Sequence, residues 1–267
     1  QDPSDWNPTM RIGICGVGTV GASLISLIKK NQDELSKKLE DEIYICQVAS
    51  RREKPQCDLS GINITNDIYE VAKNPSIDVL VELIGGTEDA KALVLMAVKN
   101  KKHVITANKA LIAMHGQEIF SAARQMGVCV LFEAAVAGGI PIIKSIREGL
   151  VGNVITRIAG ILNGTSNFIL SEMASKKQPR EFDEVLKEAQ KKGYAESDPS
   201  FDVDGIDAAH KIIIFINRST NYSSWHQSFV FFPTRYECGM GSSKAYRNTK
   251  SLRRSYSNVC TQFSWRF

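Results

Sequence analysis

Five carboxylates and one lysine lie within the sixteen residues from Glu196 to Lys211. The spacing after Asp204 predicts a helix, on which Asp207 and Lys211 lie one turn apart on the same face. A carboxylate next to an ammonium group can hold the lysine and tune it for proton transfer. A solvated helix with an acidic first turn would show the same pattern, because carboxylates are favoured near a helix N-terminus. On this segment alone, the two interpretations are equally supported.

A glycine-rich loop near the start of the chain has the spacing of a dinucleotide-binding turn. Gly16, Gly18 and Gly21 follow an apolar strand candidate and open an amphipathic helix. In that context the first glycine permits a tight turn, the second lets the backbone approach a pyrophosphate, and the third lets helix and strand pack closely. The start of the helix, at Thr19 and Val20, would face the negative charge. A glycine-rich turn without a ligand is the alternative.

The end of the second strand candidate indicates which dinucleotide would bind. A site for NAD usually carries an acidic residue there for the ribose 2′-hydroxyl, whereas this chain has Ser50, Arg51 and Arg52, with no carboxylate before Glu53. A hydroxyl and two guanidinium groups suit the 2′-phosphate of NADP. We therefore expect NADP to be preferred, with NAD as an alternative. A solvated basic turn would also explain these residues.

Two further loops follow strand candidates. Lys109 comes just after the strand candidate at residues 104–107, at the edge of an open parallel sheet that faces the ligand crevice. It is therefore placed to reach a substrate, although a surface lysine at a helix start would look the same. In the loop at residues 163–167, Thr165 or Ser166 could cap the next helix. The same loop offers backbone N–H groups and side-chain amides to a carboxylate or amide.

Alternating apolar runs and amphipathic stretches from residue 11 to about 216 predict βα units. We expect strands over residues 11–15, 43–49, 79–84, 104–107 and 128–132, and helices over 19–39 and 117–126. Ala90, Leu93, Val94 and Ala97 mark a further helix. Near-continuous apolar strands between helices imply a parallel sheet covered on both faces. The predicted fold class is α/β, with a Rossmann-type doubly wound parallel sheet over residues 11–140 and a partial α+β domain for substrate binding and dimerisation over 141–216.

The pattern changes at Pro141, which can open a helix. Residues 153–162 form a further strand candidate, and an apolar stripe from Phe182 to Ala189 predicts a helix that Gly193 ends. Residues 217–267 show no sustained period, so we expect a poorly ordered tail of non-native origin, for example after a reading-frame shift; a genuine extension is the alternative. We interpret residues 1–10 as a leader that is non-native or disordered.

The charge distribution gives no reason to expect nucleic acid as a partner. Residues 217–267 hold eight Lys and Arg and one Glu, so the other 216 residues hold 25 basic and 28 acidic groups, a net charge of −3.

The chain has no apolar run near the ~20 residues that cross a bilayer, no signal-peptide pattern, and scattered cysteines typical of reduced thiols. We expect a cytoplasmic protein without a membrane partner.

Together these motifs resemble homoserine dehydrogenase from residue 11 to about residue 214. The matching segments are GVGTVG at 16–21, VELIGG at 81–86, TANKAL at 106–111, EAAVAGGIP at 133–141, GILNGTSN at 160–167, GYAESDP at 193–199 and DVDGIDAAHK at 202–211. The resemblance implies NAD(P)-linked interconversion of L-aspartate 4-semialdehyde and L-homoserine, a step toward threonine and methionine. It also implies a homodimer with a small amino-acid substrate.

The resemblance further implies roles for particular residues. Lys211 and Lys109 would lie at the reacting carbonyl, with Lys211 as the first choice for the proton donor. The substrate-binding residues would be Glu196, Asp202, Asp207, Gly193 and Thr165, with the acids holding the substrate ammonium and orienting the lysines. The cofactor-binding residues would be Gly16, Gly18, Thr19, Val20, Gly21, Ser50, Arg51, Arg52, Asn108 and Lys109. Backbone carbonyls of Glu133, Val136, Gly138 and Ile140 would bind a monovalent cation, expected to be Na⁺.

The sequence departs from the family after Ile216. Family members continue with more sheet for the dimer interface and a return of the chain to the nucleotide domain, and some add a regulatory domain. Nothing of that kind is recognisable in residues 217–267. A truncated, inactive homologue that at most binds nucleotide is therefore the alternative function. Another Rossmann dehydrogenase acting on a different amino-acid-derived carbonyl is a third interpretation.

Overall fold

The computed structural model describes residues 9–52, 56–155, 160–175 and 180–219. The chain divides into two compact units, Gln1–Ile143 and Lys144–Phe267. The interpretation of residues 1–10 as a leader lies outside the described residues, apart from residues 9 and 10. The interpretation of residues 217–267 as a poorly ordered tail also lies outside them, apart from residues 217–219. Among the described residues, no helix is both long enough and apolar enough to span a membrane.

The first unit contains a six-stranded parallel sheet in its described part, with strand order β3-β2-β1-β4-β5-β6. The strands are β1 (Thr9–Cys15), β2 (Glu42–Ala49), β3 (Asn63–Thr65), β4 (Val79–Glu82), β5 (His103–Thr106) and β6 (Val130–Leu131). The strand order reverses between β1 and β4, and the carboxyl ends of strands at such a switch point are where doubly wound sheets bind ligands. The predicted fold class of this unit is confirmed.

Helices follow β1, β3, β4 and β5 in the first unit. They are α1 (Thr19–Lys30), α2 (Gln32–Leu39), α3 (Ile68–Lys73), α4 (Glu88–Lys99) and α5 (Lys109–Met126). Ile25 and Ile28 of α1 are three residues apart and so point to the same side of the helix. They belong to one buried cluster with Ile14 of β1 and Val48 of β2. Full burial of each such side chain stabilises the fold by about 1.5–3 kcal/mol, which holds α1 on the sheet.

Two helices of the first unit differ from their predicted bounds. The single helix expected over residues 19–39 is interrupted at Asn31, whose side-chain amide donates a hydrogen bond to the Leu27 carbonyl at 3.1 Å. Asparagine competes in this way with main-chain hydrogen bonds, while the apolar pattern continues across the break and hides it. The helix expected from residue 117 begins at Lys109, because Asn108 caps it there. The short elements β3 and α3 were not predicted.

The described part of the second unit is helical. A short helix, α6 (Ile142–Lys144), begins in the last two residues of the first unit and continues into a π-helical turn at Ser145–Gly149. The remaining helices are α7 (Gly164–Met173), α8 (Phe182–Lys191), α9 (Ser200–Val203) and α10 (Ile206–Ser219). Ile169 of α7 packs with Val185 and Ala189 of α8 in a small buried cluster. The predicted helix with an apolar stripe is therefore confirmed, and Gly193 follows it with a positive φ of 74°.

One prediction for the second unit was wrong in its bounds, and another lies partly outside the described residues. The described residues of the strand candidate at 153–162 form no strand, and residues 156–159 lie outside the described ranges. The helix expected from Asp204 begins at Ile206, because Gly205 adopts a positive φ of 77° between α9 and α10.

Candidate active site

The glycine loop lies at the carboxyl end of β1 and has three differently constrained glycines. Gly16 has a φ of 104°, and a Cβ atom there would lie 2.5 Å from the Leu83 carbonyl oxygen. A Cβ atom at Gly21 would lie 2.0 Å from the Gly16 carbonyl oxygen, whereas one at Gly18 would meet no atom within 4 Å. Packing of the described chain therefore requires glycine at 16 and 21 but not at 18. Open space beside Gly18 is what close approach of a ligand needs.

The start of α1 adds hydrogen-bond donors to this loop. Gly18 is the N-cap residue, and no side chain of the described chain caps the helix. The first turn carries no acidic residue, and Thr19 and Val20 are exposed. Uncapped N–H groups at the positive end of a helix dipole favour an anion such as a pyrophosphate. The predicted cofactor residues of this loop thus form a donor-lined turn with space in front of it.

A buried carboxylate ties together the carboxyl ends of β4 and β5. Glu82 is fully buried, and its Oε2 accepts a hydrogen bond from Thr106 Oγ1 at 2.5 Å. Its Oε1 accepts from the Ile84 N–H at 2.9 Å. Thr106 Oγ1 in turn accepts from the Asn108 N–H at 2.9 Å. These bonds fix the two loops that border the ligand crevice edge of the sheet.

Asn108 then starts α5 and places Lys109. Its Oδ1 accepts a hydrogen bond from the Leu111 N–H at 3.0 Å, and its Nδ2 donates to the Gly86 carbonyl at 2.6 Å. Lys109 is the first residue of α5 and is half-buried. The predicted position of Lys109 at the carboxyl end of β5 is therefore found in the structure.

The predicted 2′-phosphate residues follow β2. The Ser50 N–H donates to the Thr65 carbonyl at 2.9 Å, and Ser50 Oγ donates to the Arg52 carbonyl at 2.7 Å. These bonds bend the chain directly after the strand and leave Arg51 and Arg52 exposed. Two exposed guanidinium groups at this edge can form charge-assisted hydrogen bonds with a phosphate.

The predicted cation residues form a series of tight turns. The Glu133 carbonyl accepts a hydrogen bond from the Val136 N–H at 3.3 Å, and the Ile140 carbonyl accepts from the Ile142 N–H at 2.8 Å. Gly138 has a positive φ of 59°. Each carbonyl oxygen has a second lone pair, so these bonds leave room for cation ligation. Among the described residues, no cluster of three or more His, Cys, Asp and Glu could hold a metal ion.

The acidic segment of the second unit joins Lys211 to two acceptors. Lys211 Nζ lies 3.0 Å from Asp207 Oδ2 and donates a hydrogen bond to the Leu162 carbonyl at 2.5 Å. Asp207 is buried, with 6% of its surface exposed. Burial lowers the pKa of Lys211 from its ordinary value, and the negative charge of Asp202 acts against that lowering. The predicted one-turn pairing of Asp207 and Lys211 is confirmed.

An asparagine connects the two carboxylates of this cluster. Asn163 Nδ2 donates to Asp202 Oδ1 at 2.7 Å and to Asp207 Oδ2 at 2.9 Å. Asn163 Oδ1 accepts from the Ser166 N–H at 2.7 Å, so Asn163 is the N-cap of α7. The expectation that Thr165 or Ser166 caps this helix was therefore wrong, because α7 already begins at Gly164 and both residues lie inside it.

The other predicted substrate residues, Gly193, Thr165 and Glu196, make no hydrogen bond to Asp202, Asp207 or Lys211 through their side chains within the described chain. Thr165 Oγ1 donates to the Tyr194 carbonyl at 2.7 Å, next to the turn at Gly193. Glu196 is exposed, and within the described chain its carboxylate makes no hydrogen bond to Asp202 or Lys211. The structure thus brings Asp202, Asp207 and Lys211 together, places Thr165 beside the Gly193 turn, and leaves Glu196 outside the hydrogen-bonded group.

Sequence reasoning did not single out Asn163 or Glu82 as site residues. Asn163 precedes a helix and so carries the signal of an N-cap residue. Glu82 is the one acidic residue within the apolar run at 79–84, and a charged residue in a buried strand is expected only where it has partners. Both signals point to a structured polar contact, but neither identifies the partner.

The fold and these two groups of residues define the class of protein. A doubly wound parallel sheet with a glycine loop at an uncapped helix start is typical of nicotinamide-dinucleotide-binding domains. A half-buried lysine held by carboxylates is suited to proton transfer at a carbonyl. The first unit therefore has the fold of a Rossmann-type dinucleotide-binding domain.

Two family models match the chain. The model described as "Homoserine dehydrogenase, NAD binding domain" matches residues 16–133, and the model described as "Homoserine dehydrogenase" matches residues 141–229. A curated homoserine dehydrogenase from Pseudomonas aeruginosa is 58% identical over 205 residues, which cover 77% of this chain and 47% of the relative. The chain spans about half the length of the curated relatives it matches.

Solved structures agree with these matches. A crystal structure of a homoserine dehydrogenase from Thiobacillus denitrificans has 50% identity and a TM-score of 0.73, covering 79% of this chain and 49% of that one. A protein of Archaeoglobus fulgidus that is assigned as a homoserine dehydrogenase has 33% identity and a TM-score of 0.68, covering 79% and 68%. A hyperthermophilic archaeal homoserine dehydrogenase in complex with NADPH has 26% identity and a TM-score of 0.67, covering 78% and 68%. This chain belongs to the homoserine dehydrogenase family.

Proposed function

We propose that this chain carries out the NAD(P)-linked interconversion of L-aspartate 4-semialdehyde and L-homoserine, a step toward threonine and methionine. The observation that carries the proposal is the pairing of Lys211 with Asp207 at 3.0 Å on α10, in a chain that belongs to the homoserine dehydrogenase family. The activity is part of the proposal because the chain spans about half the length of its curated relatives.

Lys211 is the proposed proton donor in the direction of reduction. Its ammonium would give a proton to the aldehyde oxygen, and the resulting neutral amine would be recharged from solvent. The bound nicotinamide would supply the hydride that reduces the carbonyl carbon. The lowered pKa of Lys211 favours this transfer, since a lysine with an ordinary pKa holds its proton too firmly near neutral pH. Lys109 is proposed as the second lysine at the reacting carbonyl.

The acids of the second unit are the proposed binding residues for the substrate ammonium. Asp202 and Asp207 are held close together by one amide, and opposite charge attracts an ammonium most strongly where water is partly excluded. Glu196, Thr165 and the turn at Gly193 are proposed to complete the substrate site. Glu196 is exposed in the structure, so its part in the site rests on the family resemblance.

NADP is the proposed cofactor, with NAD as the alternative. Gly18 leaves open space at an uncapped helix start, which fits a pyrophosphate. Arg51 and Arg52 are exposed after β2, which fits a 2′-phosphate, and the archaeal relative described above was solved with NADPH. Ser50, Asn108 and Lys109 are proposed to contact the cofactor as well.

A monovalent cation, expected to be Na⁺, is proposed to bind the carbonyls of Glu133, Val136, Gly138 and Ile140. Oxygen ligands suit a hard cation.

We also propose a cytoplasmic homodimer in which the second unit supplies the interface. Val151, Val154 and Ile161 of that unit are 77%, 88% and 66% exposed, and a partner that covered them would remove apolar surface from water.

A truncated homologue that binds nucleotide without turning over substrate is the second candidate function. The observation that favours it is the extent of the chain, which covers 47% of the Pseudomonas aeruginosa relative. The nucleotide residues all lie in the first unit, whose sheet is described from β1 to β6. Nucleotide binding could therefore persist in a chain that lacks turnover.

A direct assay separates these candidates. The full chain is incubated with L-aspartate 4-semialdehyde and NADPH, and oxidation of NADPH is followed by absorbance. We expect Lys211→Met to lower kcat by about 10²–10⁴-fold and the exposed Lys187→Met on α8 to leave it unchanged. A chain that folds and binds NADPH but shows no turnover would establish the inactive homologue. Faster turnover of another amino-acid-derived aldehyde would indicate a different dehydrogenase.

A further inference from the structure

One loop supplies contacts to all three members of the lysine–acid cluster. Asn163 Nδ2 donates to Asp202 and to Asp207, and the Leu162 carbonyl accepts from Lys211 Nζ. Ser166 Oγ, at the start of α7, also donates to the Asp202 carbonyl at 2.9 Å, which ties the backbone of α9 to the same loop. The loop before α7 is therefore in contact with α9 and with α10.

We propose that Asn163 is a positioning residue of this site. Its amide holds Asp207 against Lys211 and fixes Asp202 through one oxygen, so that the other oxygen of Asp202 faces the substrate ammonium. This inference rests on the proposed function and assigns to Asn163 a task beyond capping α7. Within the described chain, Asp202 Oδ2 accepts no hydrogen bond, while Asp202 Oδ1 is taken by Asn163.

The chemistry of the amide explains why an asparagine fits here. The carbonyl oxygen of the side chain caps α7, and its nitrogen carries two hydrogens, one for each carboxylate. The reverse orientation of the amide would place its oxygen against two carboxylates, so the network fixes the orientation shown. Aspartate would keep the cap and lose both donors; serine would keep the cap and retain one hydroxyl hydrogen.

The amide also changes the electrostatics of Lys211. Asp207 lies on the same helix and Asp202 on α9, and both would otherwise present their full negative charge to the ammonium. The two N–H groups of Asn163 point their positive ends at these carboxylates and so weaken the field at Lys211. Loss of the amide should therefore raise the pKa of Lys211, and a third carboxylate at position 163 should raise it further.

The test compares Asn163→Ser and Asn163→Asp in the full chain. Both replacements preserve an N-cap acceptor for α7. The control is Asp67→Ser, which exchanges the side-chain cap of α3 in the first unit, where Asp67 Oδ1 accepts from the Tyr69 N–H at 2.8 Å. Affinity for L-homoserine is measured by calorimetry with NADPH present, because this pair cannot react, whereas L-homoserine and NADP⁺ are the reactants of the proposed oxidation. The titration of the Lys211 ammonium is followed by NMR of lysine labelled with ¹⁵N, assigned by its loss in Lys211→Arg.

We expect both Asn163 variants to weaken L-homoserine binding by at least about tenfold. The Lys211 titration should move to higher pH in the order parent, Asn163→Ser, Asn163→Asp, while Asp67→Ser changes neither readout. Unchanged affinity and an unchanged titration in Asn163→Ser would overturn the inference and leave Asn163 with capping alone. If the parent chain does not bind L-homoserine, the proposed function fails, and the Lys211 titration still decides whether Asn163 positions the cluster.

Discussion

Lys211 Nζ lies 3.0 Å from Asp207 Oδ2 across one turn of α10 and also donates to the Leu162 carbonyl. The lysine is therefore held from its own helix and from the loop before α7 at once. Burial lowers its pKa and Asp202 raises it, so the protonation of this one group depends on two opposed effects. Substitution of Asp202 should therefore change the pKa of Lys211 while the lysine itself stays in place.

Asp202→Asn should move the pH profile of the reaction. Reduction requires Lys211 as an ammonium, so its rate should fall as the pH rises through the lowered pKa of Lys211. Asparagine removes the negative charge that raises this pKa, so the pKa should fall and the basic limb of the kcat profile should move to lower pH. The exposed Asp183→Asn on α8 is the control with the same charge change. A limb that stays in place, or moves to higher pH, would contradict the role of Lys211.

In the glycine loop, substitution of Gly18 should weaken cofactor binding, whereas substitution of Gly21 should lower the stability of the fold. Gly18→Ala adds a methyl group into open space at a φ of −81°, so the free energy of unfolding should change by less than about 1 kcal/mol. The same methyl group should obstruct the pyrophosphate and weaken NADPH binding tenfold or more, which fluorescence titration measures. Gly21→Ala should instead destabilise the fold by roughly 1–3 kcal/mol, because its Cβ would lie 2.0 Å from the Gly16 carbonyl.

Two results would contradict these predictions for Gly18 and Gly21. Equal NADPH affinity for Gly18→Ala and the parent chain would show that the pyrophosphate does not approach this residue. A thermal midpoint for Gly21→Ala equal to that of the parent would show that β1 and α1 separate at little cost.

The bond between Glu82 and Thr106 predicts a stability effect at the crevice edge. Thr106→Val removes the hydroxyl that donates to the buried carboxylate at 2.5 Å and accepts from the Asn108 N–H. Because the partners stay buried without this group, unfolding in urea should show a loss of about 1–3 kcal/mol. Thr87→Val is the control, since the Thr87 hydroxyl does not cap α4. Equal losses in the two variants would mean that the Glu82 bond adds no stability.

Much of the first unit could be predicted because its signals are local. The strands β1, β2, β4 and β5 are apolar runs between helical patterns, and buried parallel strands have that composition. The break at Asn31 and the early start of α5 at Lys109 depend on side-chain amides that bond to the main chain. Periodicity does not report such bonds, so these helix bounds were missed.

The candidate site was predictable only as far as its contacts are local in sequence. Asp207 and Lys211 are four residues apart, so helical spacing alone pairs them. Asn163 is 39 residues from Asp202 and 44 from Asp207, and Glu82 is 24 residues from Thr106. Only the folded chain brings these pairs together, so a single sequence could supply the residues and not their partners.

Arg51 and Arg52 predict the choice between the two dinucleotides. Both are exposed directly after β2, where a 2′-phosphate would lie. Arg51→Ala/Arg52→Ala should weaken NADPH binding by about 10–100-fold, the effect of losing charge-assisted hydrogen bonds, and leave NADH binding within about twofold. Lys99→Ala/Arg124→Ala, which removes two exposed positive charges elsewhere in the first unit, should leave both affinities unchanged. Equal weakening of NADPH and NADH in the arginine variant would show that these side chains attract the dinucleotide without reading its 2′-phosphate.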